Sequence, residues 1–552
     1  MDWFKSFRVF NVTPQRYVAQ YVAPLLFLGL AMSVAAAVFM AGLSPFIRWT
    51  VVAATPLFMG YVAYSIPLQA ADKIKREIDN NIHLFITHMG VLATANLPPT
   101  DIFSKLATKA EYTSLARSSD QIASLVRRWN MGLPEACRFV AERTPSTIFA
   151  DFLERYAYAT ETGEDLSVFL HNEQGVVMGD YATVYQAALY GVDSVKDMYM
   201  STMMSVIFLA VFGLISPLLT GIAPTDVALF IVGTFLMLET VFLFLLLSRV
   251  PYDELWTQLP EKVGLRRELD AYLPFTVILG LMAGLLGGWL FDMPLTMMIA
   301  VGSTPLLILG FSVHNEEKAI FRRDDNYPAF IRSLGASTSA RGGSAREVLK
   351  KLRRHNFGPL TRDVDSLYRR LNLRLDDKHA WERFAVETGS NIVEKFTAMF
   401  VEGIQSGGDA AEIGRILSDN VGKILAVRKH RAQTAASFRG SMLGLTAGIA
   451  FTLYIGIGML DGLDTLFKAQ ETKTAGGAEF SSVLFSDFTV NMPLLHGLIT
   501  FALIIHALAV AVMVSKASGG STYRVAFDFP ILIWITALTA LMTEAAFGNM
   551  FG

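Results

Sequence analysis

The sequence predicts an all-α polytopic membrane protein that contains two homologous cytosolic helical bundles. Its 552 residues are 52% hydrophobic and only 17% charged, and the mean hydropathy of +0.40 is far above that of soluble proteins. Long apolar stretches alternate with two polar regions, and these two regions resemble each other. We therefore expect a chain that crosses a bilayer several times and carries a duplicated domain.

Nine apolar stretches are each about as long as a helix that crosses the hydrocarbon core of a membrane. They cover residues 21–43, 48–69, 200–220, 226–248, 273–291, 295–313, 440–460, 492–514 and 527–548. The predicted organisation is an amphipathic N-terminus at 1–20, helices 1–2 in 21–69, a first polar domain at 70–199, helices 3–4 in 200–248, a linker at 249–272, helices 5–6 in 273–313, a second polar domain at 314–439, and helices 7–9 in 440–552 with a loop at 461–491.

Orientation follows from where lysine and arginine flank the predicted spans. The N-terminal segment, the linker 249–272 and the connection that holds Lys516 and Arg524 are basic, whereas the other short connections hold few basic residues. We therefore expect the N-terminus and both polar domains in the cytoplasm, and the C-terminus and the loop 461–491 outside. Four spans separate the polar domains, so the two copies point the same way and form a parallel repeat.

The repeat aligns residues 79–180 with 324–425 without a gap, at a constant offset of 245. The pairs that carry it are Asp79/Asp324, Asn81/Asn326, Phe85/Phe330, Ile86/Ile331, Lys105/Lys350, Leu115/Leu360, Asp120/Asp365, Arg138/Arg383, Phe139/Phe384, Glu142/Glu387, Gly163/Gly408 and Val176/Val421.

Both copies show the apolar spacing of amphipathic helices. The corresponding sets are Ile122, Leu125, Val126 and Trp129 in the first copy and Val364, Leu367, Tyr368 and Leu371 in the second. Long alternating runs of β-branched residues are missing. Each polar domain is therefore predicted to be an all-α bundle of about six helices.

The sequence predicts neither catalysis nor a bound cofactor, metal or nucleic acid. The nearest approach to a phosphate-binding loop, ending at 421–424, has Leu417 in place of the first glycine and lacks the hydroxyl that binds magnesium. No His-Glu-x-x-His pattern occurs, and a formal net charge of −2 offers no basic face for nucleic acid. The single cysteine, Cys137, is expected to be a buried apolar side chain.

The two polar domains differ in the sign of their charge. Residues 70–199 hold 12 basic and 17 acidic side chains, whereas 314–439 hold 23 basic and 16 acidic ones. The second domain has one basic cluster at Lys350, Lys351, Arg353 and Arg354, a second at Arg369, Arg370 and Arg374, and a third at Arg428, Lys429 and Arg431. We interpret the first two as a docking surface for an acidic cytosolic partner. The third, which borders a span, either docks a partner, sets the topology or contacts lipid headgroups.

Glycine-containing turns interrupt both copies at 161–166 and 405–409. Gly163 and Glu164 in the first turn, and Gly407 and Gly408 in the second, are candidate hinge residues. Ordinary helix capping explains the same glycines, because glycine commonly follows a helix end.

Some residues inside the predicted spans leave two interpretations open. Ionisable side chains occur there at Glu239, His496, His506 and Glu544, and glycines in the fifth span at Gly280, Gly284, Gly287 and Gly288. The ionisable residues either serve a proton or substrate path or bond helices together, the interpretation we favour. The glycines either suit a transporter or allow helices to pack closely.

Several short motifs carry a family resemblance. They are Gly-Leu-Pro-Glu-Ala at 132–136, Phe-Val-Ala-Glu at 139–142, Glu-Thr-Gly-Glu-Asp-Leu at 161–166 and Gln-Ser-Gly-Gly-Asp at 405–409. With the duplication and the topology, they resemble the type II secretion system F domain family, the inner-membrane platform proteins of type IV pili and secretion systems. Extra spans before each domain resemble the archaeal branch of the family, and the length, span pattern and N-terminus most resemble its archaellum platforms.

The resemblance implies a non-enzymatic platform on which a hexameric secretion-type ATPase moves prepilin-like subunits from the bilayer into a growing filament, which the same motor rotates. We also expect a homodimer, because a platform below a filament needs symmetric support. Three alternatives stay open: the platform of an adhesion pilus or secretion system, a polytopic transporter, and a static scaffold.

Overall fold

The computed structural model of the protein describes residues 14–18, 22–27, 29–30, 33, 45–215, 224–259, 265–340, 345–373, 376–473 and 492–551. In these ranges the chain forms helices and no named strand, which confirms the predicted all-α class. After the short helix Pro14–Tyr17, the α-helices are α1 (Pro45–Ala93), α2 (Pro99–Ala107), α3 (Ser114–Trp129), α4 (Leu133–Ala141), α5 (Thr147–Thr162), α6 (Leu166–Ile215), α7 (Pro224–Arg249), α8 (Leu265–Phe291), α9 (Leu295–Ser303), α10 (Leu306–Ser339), α11 (Ala345–Leu352), α12 (Thr361–Asn372), α13 (Asp377–Thr388), α14 (Asn391–Gln405), α15 (Ala410–Lys473), α16 (Met492–Ser518) and α17 (Val525–Phe551).

Six helices of the described chain are long and apolar enough to cross a membrane, and the pair α9 and α10, bent by 43°, makes seven if counted as one span. The expected total of nine is not confirmed. The stretch 21–43 lies mostly outside the described residues, and 48–69 forms the first part of α1. The stretch 295–313 is broken between α9 and α10, because Pro305 has no amide hydrogen with which to continue a helix.

Two membrane helices are much longer than a bilayer is thick. Helix α6 has 50 residues and α15 has 64, whereas a span needs about 20. Each therefore continues well beyond the apolar core. The domain boundaries expected at 199/200 and 439/440 fall inside these two helices rather than at a break in the chain.

The chain divides into two compact units that do not follow the sequence repeat. The first unit is Met1–Tyr181 with Met399–Asn420, and the second is Ala182–Ala398 with Val421–Gly552. The first unit therefore contains the first repeat copy together with the end of the second copy.

The first unit has a core rich in aromatic rings. Phe85 meets Tyr112 edge to face, with ring centroids 5.5 Å apart, and Phe103 meets Tyr156 at 5.4 Å. Edge-to-face pairs stabilise a core beyond the area they bury. Cys137 is fully buried in this unit, and burial raises the pKa of its thiol to about 12, against the opposing effect of Arg138. The expected buried cysteine is confirmed.

Trp129 departs from the predicted apolar face of α3. Its side chain is 76% exposed, because Asn130 adopts the left-handed conformation and ends the helix immediately after it. The corresponding face of α12 is buried at Val364, Leu367 and Leu371, as expected.

The second unit repeats an aromatic contact of the first. Phe330 meets Phe357 edge to face with centroids 5.5 Å apart, and these residues follow Phe85 and Tyr112 at the offset of 245. An edge-to-face contact between aromatic rings thus occurs at equivalent positions of both copies, as the duplication predicts.

The repeat is not free of gaps, however, and this expectation was wrong. Three residues separate Glu142 from Ser146, but only two separate Glu387 from Ser390. Each serine binds the side-chain oxygen of an aspartate and accepts a bond from the third amide of the following helix, so the two serines are equivalent. In the second copy Gly389 makes the shorter turn possible. Its φ is +69°, a backbone conformation that residues with a Cβ rarely adopt.

Small residues let α8 and α9 touch at the backbone in the second unit. A Cβ added to Gly280 would lie 2.1 Å from the Gly302 carbonyl oxygen, and one added to Gly284 would lie 2.8 Å from that of Met298. Close helix packing therefore accounts for these glycines of the fifth predicted span.

Candidate functional site

Helix α11 carries the first basic cluster of the second unit. One face of the helix is buried through Val348, Leu349 and Leu352. Lys350 and Lys351 are exposed, and Arg354 follows the helix end and is also exposed. Within the described part of the chain no carboxylate pairs with these three cations. Their charge is therefore available to a partner.

The second basic cluster is already paired within the protein. Arg369 is 75% exposed and lies 2.6 Å from Asp365, which Arg353 of the first cluster approaches to 3.6 Å. Arg370 binds Glu387 and so joins α12 to α13. Arg374 lies outside the described residues. Docking by this cluster stays a prediction, and its paired arginines carry less uncompensated charge than Lys350 and Lys351.

The third basic cluster is buried rather than presented to lipid or a partner. Arg428 binds both oxygens of Asp253, at 2.6 and 2.9 Å, and lies 3.2 Å from Asp324. Burial by itself raises the pKa of the Asp253 carboxyl, but Arg428 and then Arg431 outweigh it and hold that pKa below its ordinary value. The network ties the segment after α7 to α10 and α15. Lys429, in contrast, is exposed and pairs with Asp325 at 3.1 Å.

Arg431 closes the C-terminal end of α16. Its guanidinium donates to the carbonyl oxygens of Lys516 at 2.8 Å and Ala517 at 2.9 Å, groups that have no partner within the helix. The next turn needs Gly519, whose φ is +73° and whose added Cβ would lie 2.7 Å from the Arg431 Cζ atom. This residue is therefore structural.

The candidate hinge glycines differ in how much space surrounds their Cα atoms. Gly163 has a φ of +73° and ends α5, and Gly407 has a φ of +92°; a Cβ added at either would meet no atom within 4 Å. Glu164 is exposed, and its amide donates to the Ala159 carbonyl oxygen at 3.0 Å. Gly408 is confined, because a Cβ there would lie 2.4 Å from the Thr94 hydroxyl. The geometry is that of helix caps, and hinge motion stays a prediction.

A second buried network holds the first unit together. His88 on α1 lies between the Tyr112 hydroxyl at 2.9 Å and Glu402 at 3.1 Å, and Lys109 reaches the same carboxylate at 2.6 Å. Burial alone raises the pKa of Glu402, but His88 and Lys109 outweigh it and lower the pKa to about 2. The end of the second repeat copy is thereby bonded to the first copy.

Sequence reasoning missed the acidic half of these networks. Asp253 and Glu402 are unremarkable in sequence, and their partners are distant along the chain. The repeat pairs Asp79 with Asp324, which indicates a shared role, but a fixed offset of 245 does not align their partners Ser146 and Ser390. Among the described residues no group of three or more His, Cys, Asp and Glu side chains could hold a metal ion.

Comparisons with known proteins agree with the duplicated architecture. The family model described as type II secretion system (T2SS), protein F, matches residues 85–214 and again 330–460. The chain is 32% identical over 547 residues to Flagella accessory protein J of Methanococcus voltae, covering 97% of this chain and 96% of that protein. It is 31% identical over 552 residues to Flagella accessory protein J of Methanocaldococcus jannaschii, covering 98% and 97% respectively. No solved structure matches the chain.

Replacing Asp253 by asparagine is expected to destabilise the protein by about 3 kcal/mol, because it leaves buried Arg428 with half of its countercharge. The matched control is Asp325→Asn, which removes an exposed pair and is expected to cost less than about 1 kcal/mol. Thermal unfolding of the purified protein in detergent measures both. Equal losses for the two variants would contradict a buried charge network.

Acid should weaken the first unit through Glu402. Its folded pKa of about 2 lies below the ordinary value of 4.5, so its ionised form stabilises the fold above about pH 4.5, and this contribution of at most about 3 kcal/mol is lost as the pH falls toward 2. The difference in free energy of unfolding between the wild type and Glu402→Gln should therefore shrink from pH 5 to pH 2. A difference that is constant over this range would show that Glu402 is not held in its ionised form.

Proposed function

Because the chain belongs to the Flagella accessory protein J family and carries two type II secretion system protein F domains, we propose that it is the membrane platform of an archaellum, a filament machinery of the type IV pilus kind. The observation that carries this function is similarity over nearly the whole length, in which both F domains and the intervening apolar helices are retained. The protein is a multi-pass membrane component, and its function is mechanical and structural rather than enzymatic.

The partner on the cytosolic side is a hexameric secretion-type ATPase with an acidic contact surface. It docks on the basic surface of α11, defined by Lys350, Lys351 and Arg354. These side chains are exposed and uncompensated within the described chain, so an acidic partner gains their full attraction during approach. Arg369 and Arg353 stand nearby but share Asp365, and they contribute less.

The platform transmits the ATPase movement to prepilin-like filament subunits in the membrane. Turns at Gly163 and Gly407 supply bending points, because an added side chain would meet no neighbouring atom and only the backbone conformation restricts those positions. Both large polar domains face the cytoplasm and the protein acts as a homodimer, which gives the filament base a symmetric support.

Charge reversal at Lys351 is expected to weaken ATPase binding at least severalfold, and reversal of Lys350, Lys351 and Arg354 together is expected to abolish it. Rising salt should weaken the wild-type complex, because the contact is between exposed charges. Binding of the purified ATPase to the full-length protein in lipid nanodiscs measures the affinity. Lys378→Glu is the control, since Lys378 is also exposed but lies on α13, 3.9 Å from Glu382. Equal effects of Lys351→Glu and Lys378→Glu would move the docking site elsewhere.

Deletion of the gene in its native host tests the platform function itself. Loss of swimming and of rotary filaments in electron micrographs, with surface attachment retained, is the expected result. Loss of adhesive pili alone would reassign the protein to a pilus platform. Both kinds of filament intact would refute the platform function and favour a transporter.

A further inference from the structure

A polar cluster is buried inside the membrane helices of the second unit. Its members are Tyr199 on α6, Glu239 on α7, Thr446 on α15 and His506 on α16, each at most 1% exposed. Four helices thus contribute one side chain each to a single site. The proposed platform function does not explain this cluster. Apolar side chains pack around it.

The hydrogen bonds place histidine at the centre of the cluster. His506 Nδ1 lies 2.5 Å from Glu239 Oε1, and its Nε2 lies 3.0 Å from the Thr446 hydroxyl. The Tyr199 hydroxyl donates to Glu239 Oε1 at 2.8 Å. The other carboxyl oxygen, Glu239 Oε2, has no hydrogen-bond partner in the described part of the chain.

The hydrogen-bond donors of the cluster indicate that a proton lies between Glu239 and His506. The Thr446 hydroxyl donates its one proton to the Met442 carbonyl oxygen at 2.9 Å, so towards His506 it acts as an acceptor, and Nε2 carries a hydrogen. A neutral ring with that hydrogen has a bare lone pair on Nδ1. The Tyr199 hydroxyl lies 3.2 Å from Nδ1 and 2.8 Å from Oε1, and its single proton cannot satisfy both atoms. Two bare acceptors 2.5 Å apart therefore require a further proton on one of them.

Charge balance requires the same proton. With it the pair is neutral overall, either as a carboxylic acid beside a neutral ring or as a carboxylate beside an imidazolium. Without it a net negative charge lies among apolar helices, which is strongly unfavourable.

Other titratable groups on the surrounding helices do not supply a countercharge. On α6, Lys196 pairs with Asp193 at 3.1 Å. Arg439 on α15 pairs with Asp528 at 2.7 Å, and Glu544 on α17, which packs against α16, is exposed. Within the described chain, therefore, only His506 and the proton it shares can neutralise Glu239.

We propose that Glu239 and His506 form a proton-binding site in the membrane domain, which holds one proton between Oε1 and Nδ1 and makes the packing of four helices depend on it. Loss of the proton leaves two acceptors facing each other and a net negative charge, and it drives α7 away from α16.

The protonation state of the two ring nitrogens of His506 tests whether the site holds the shared proton. Nitrogen-15 NMR of labelled histidine in the full-length protein, in nanodiscs near pH 7, distinguishes the three ring states. An imidazolium is expected, or a neutral ring protonated on Nε2 beside a Glu239 carboxyl whose carbon-13 shift is that of the acid, and either result supports the shared proton. A neutral ring beside a Glu239 carboxylate would overturn it. A neutral ring protonated on Nδ1 would place Glu239 as a bare carboxylate and overturn the proposal. The chain holds nine histidines, so the His506 signal is first assigned by its absence in His506→Gln, and the ring state is then read from the wild type.

Stability against pH tests the coupling to helix packing. Unfolding releases the shared proton into neutral or alkaline solvent, so rising pH should lower stability by up to tenfold in the unfolding equilibrium constant per pH unit. Glu239→Gln cannot share the proton and should lack this dependence, whereas Thr446→Val, which keeps the pair, should retain it. Identical pH profiles of the wild type and Glu239→Gln would overturn the coupling.

Discussion

A charge removed from water must find its countercharge within the protein, and this constraint organises the second unit. Arg428 is only 5% exposed, and its guanidinium is balanced by Asp253 and Asp324. Through these bonds the segment after α7, helix α10 and helix α15 are held at fixed separations. Removing one partner leaves a buried ion unpaired, which costs more than the loss of any surface contact. The exposed charges of α11 can serve a partner because they do not belong to this network.

The fold class could be predicted from sequence because the properties that decide it are averages over many residues. Mean hydropathy identifies the apolar segments. Sequence similarity summed over about a hundred aligned positions identifies the repeat. The number of spans depends on finer detail. Hydropathy does not register the break before Pro305, and it does not show that α6 and α15 continue as helices past the bilayer. The turn before Ser390 is one residue shorter than its counterpart, and an alignment with a fixed offset does not show this deletion.

The candidate site could be predicted only as a set of residues rich in charge. Sequence counts cations, but it does not distinguish a free lysine from a paired arginine, because the partner is set by tertiary structure. Lys350 and Arg370 look alike in sequence, yet Arg370 is occupied by Glu387. Arg428 and Asp253 are 175 residues apart, beyond the reach of any local pattern. The sequence marks Glu239 and His506 separately, as ionisable residues inside apolar stretches, and only the helix packing brings them into one site.

The single thiol of the chain makes the protein convenient for spectroscopy. Cys137 is buried, and its thiol stays protonated near neutral pH, so alkylating labels, which attack the thiolate, should leave the folded protein unmodified. Cysteines introduced on exposed helices can then carry spin labels or fluorophores against a silent background, with the native sequence otherwise intact. Distances between paired labels would report directly how the platform moves while a motor acts on it.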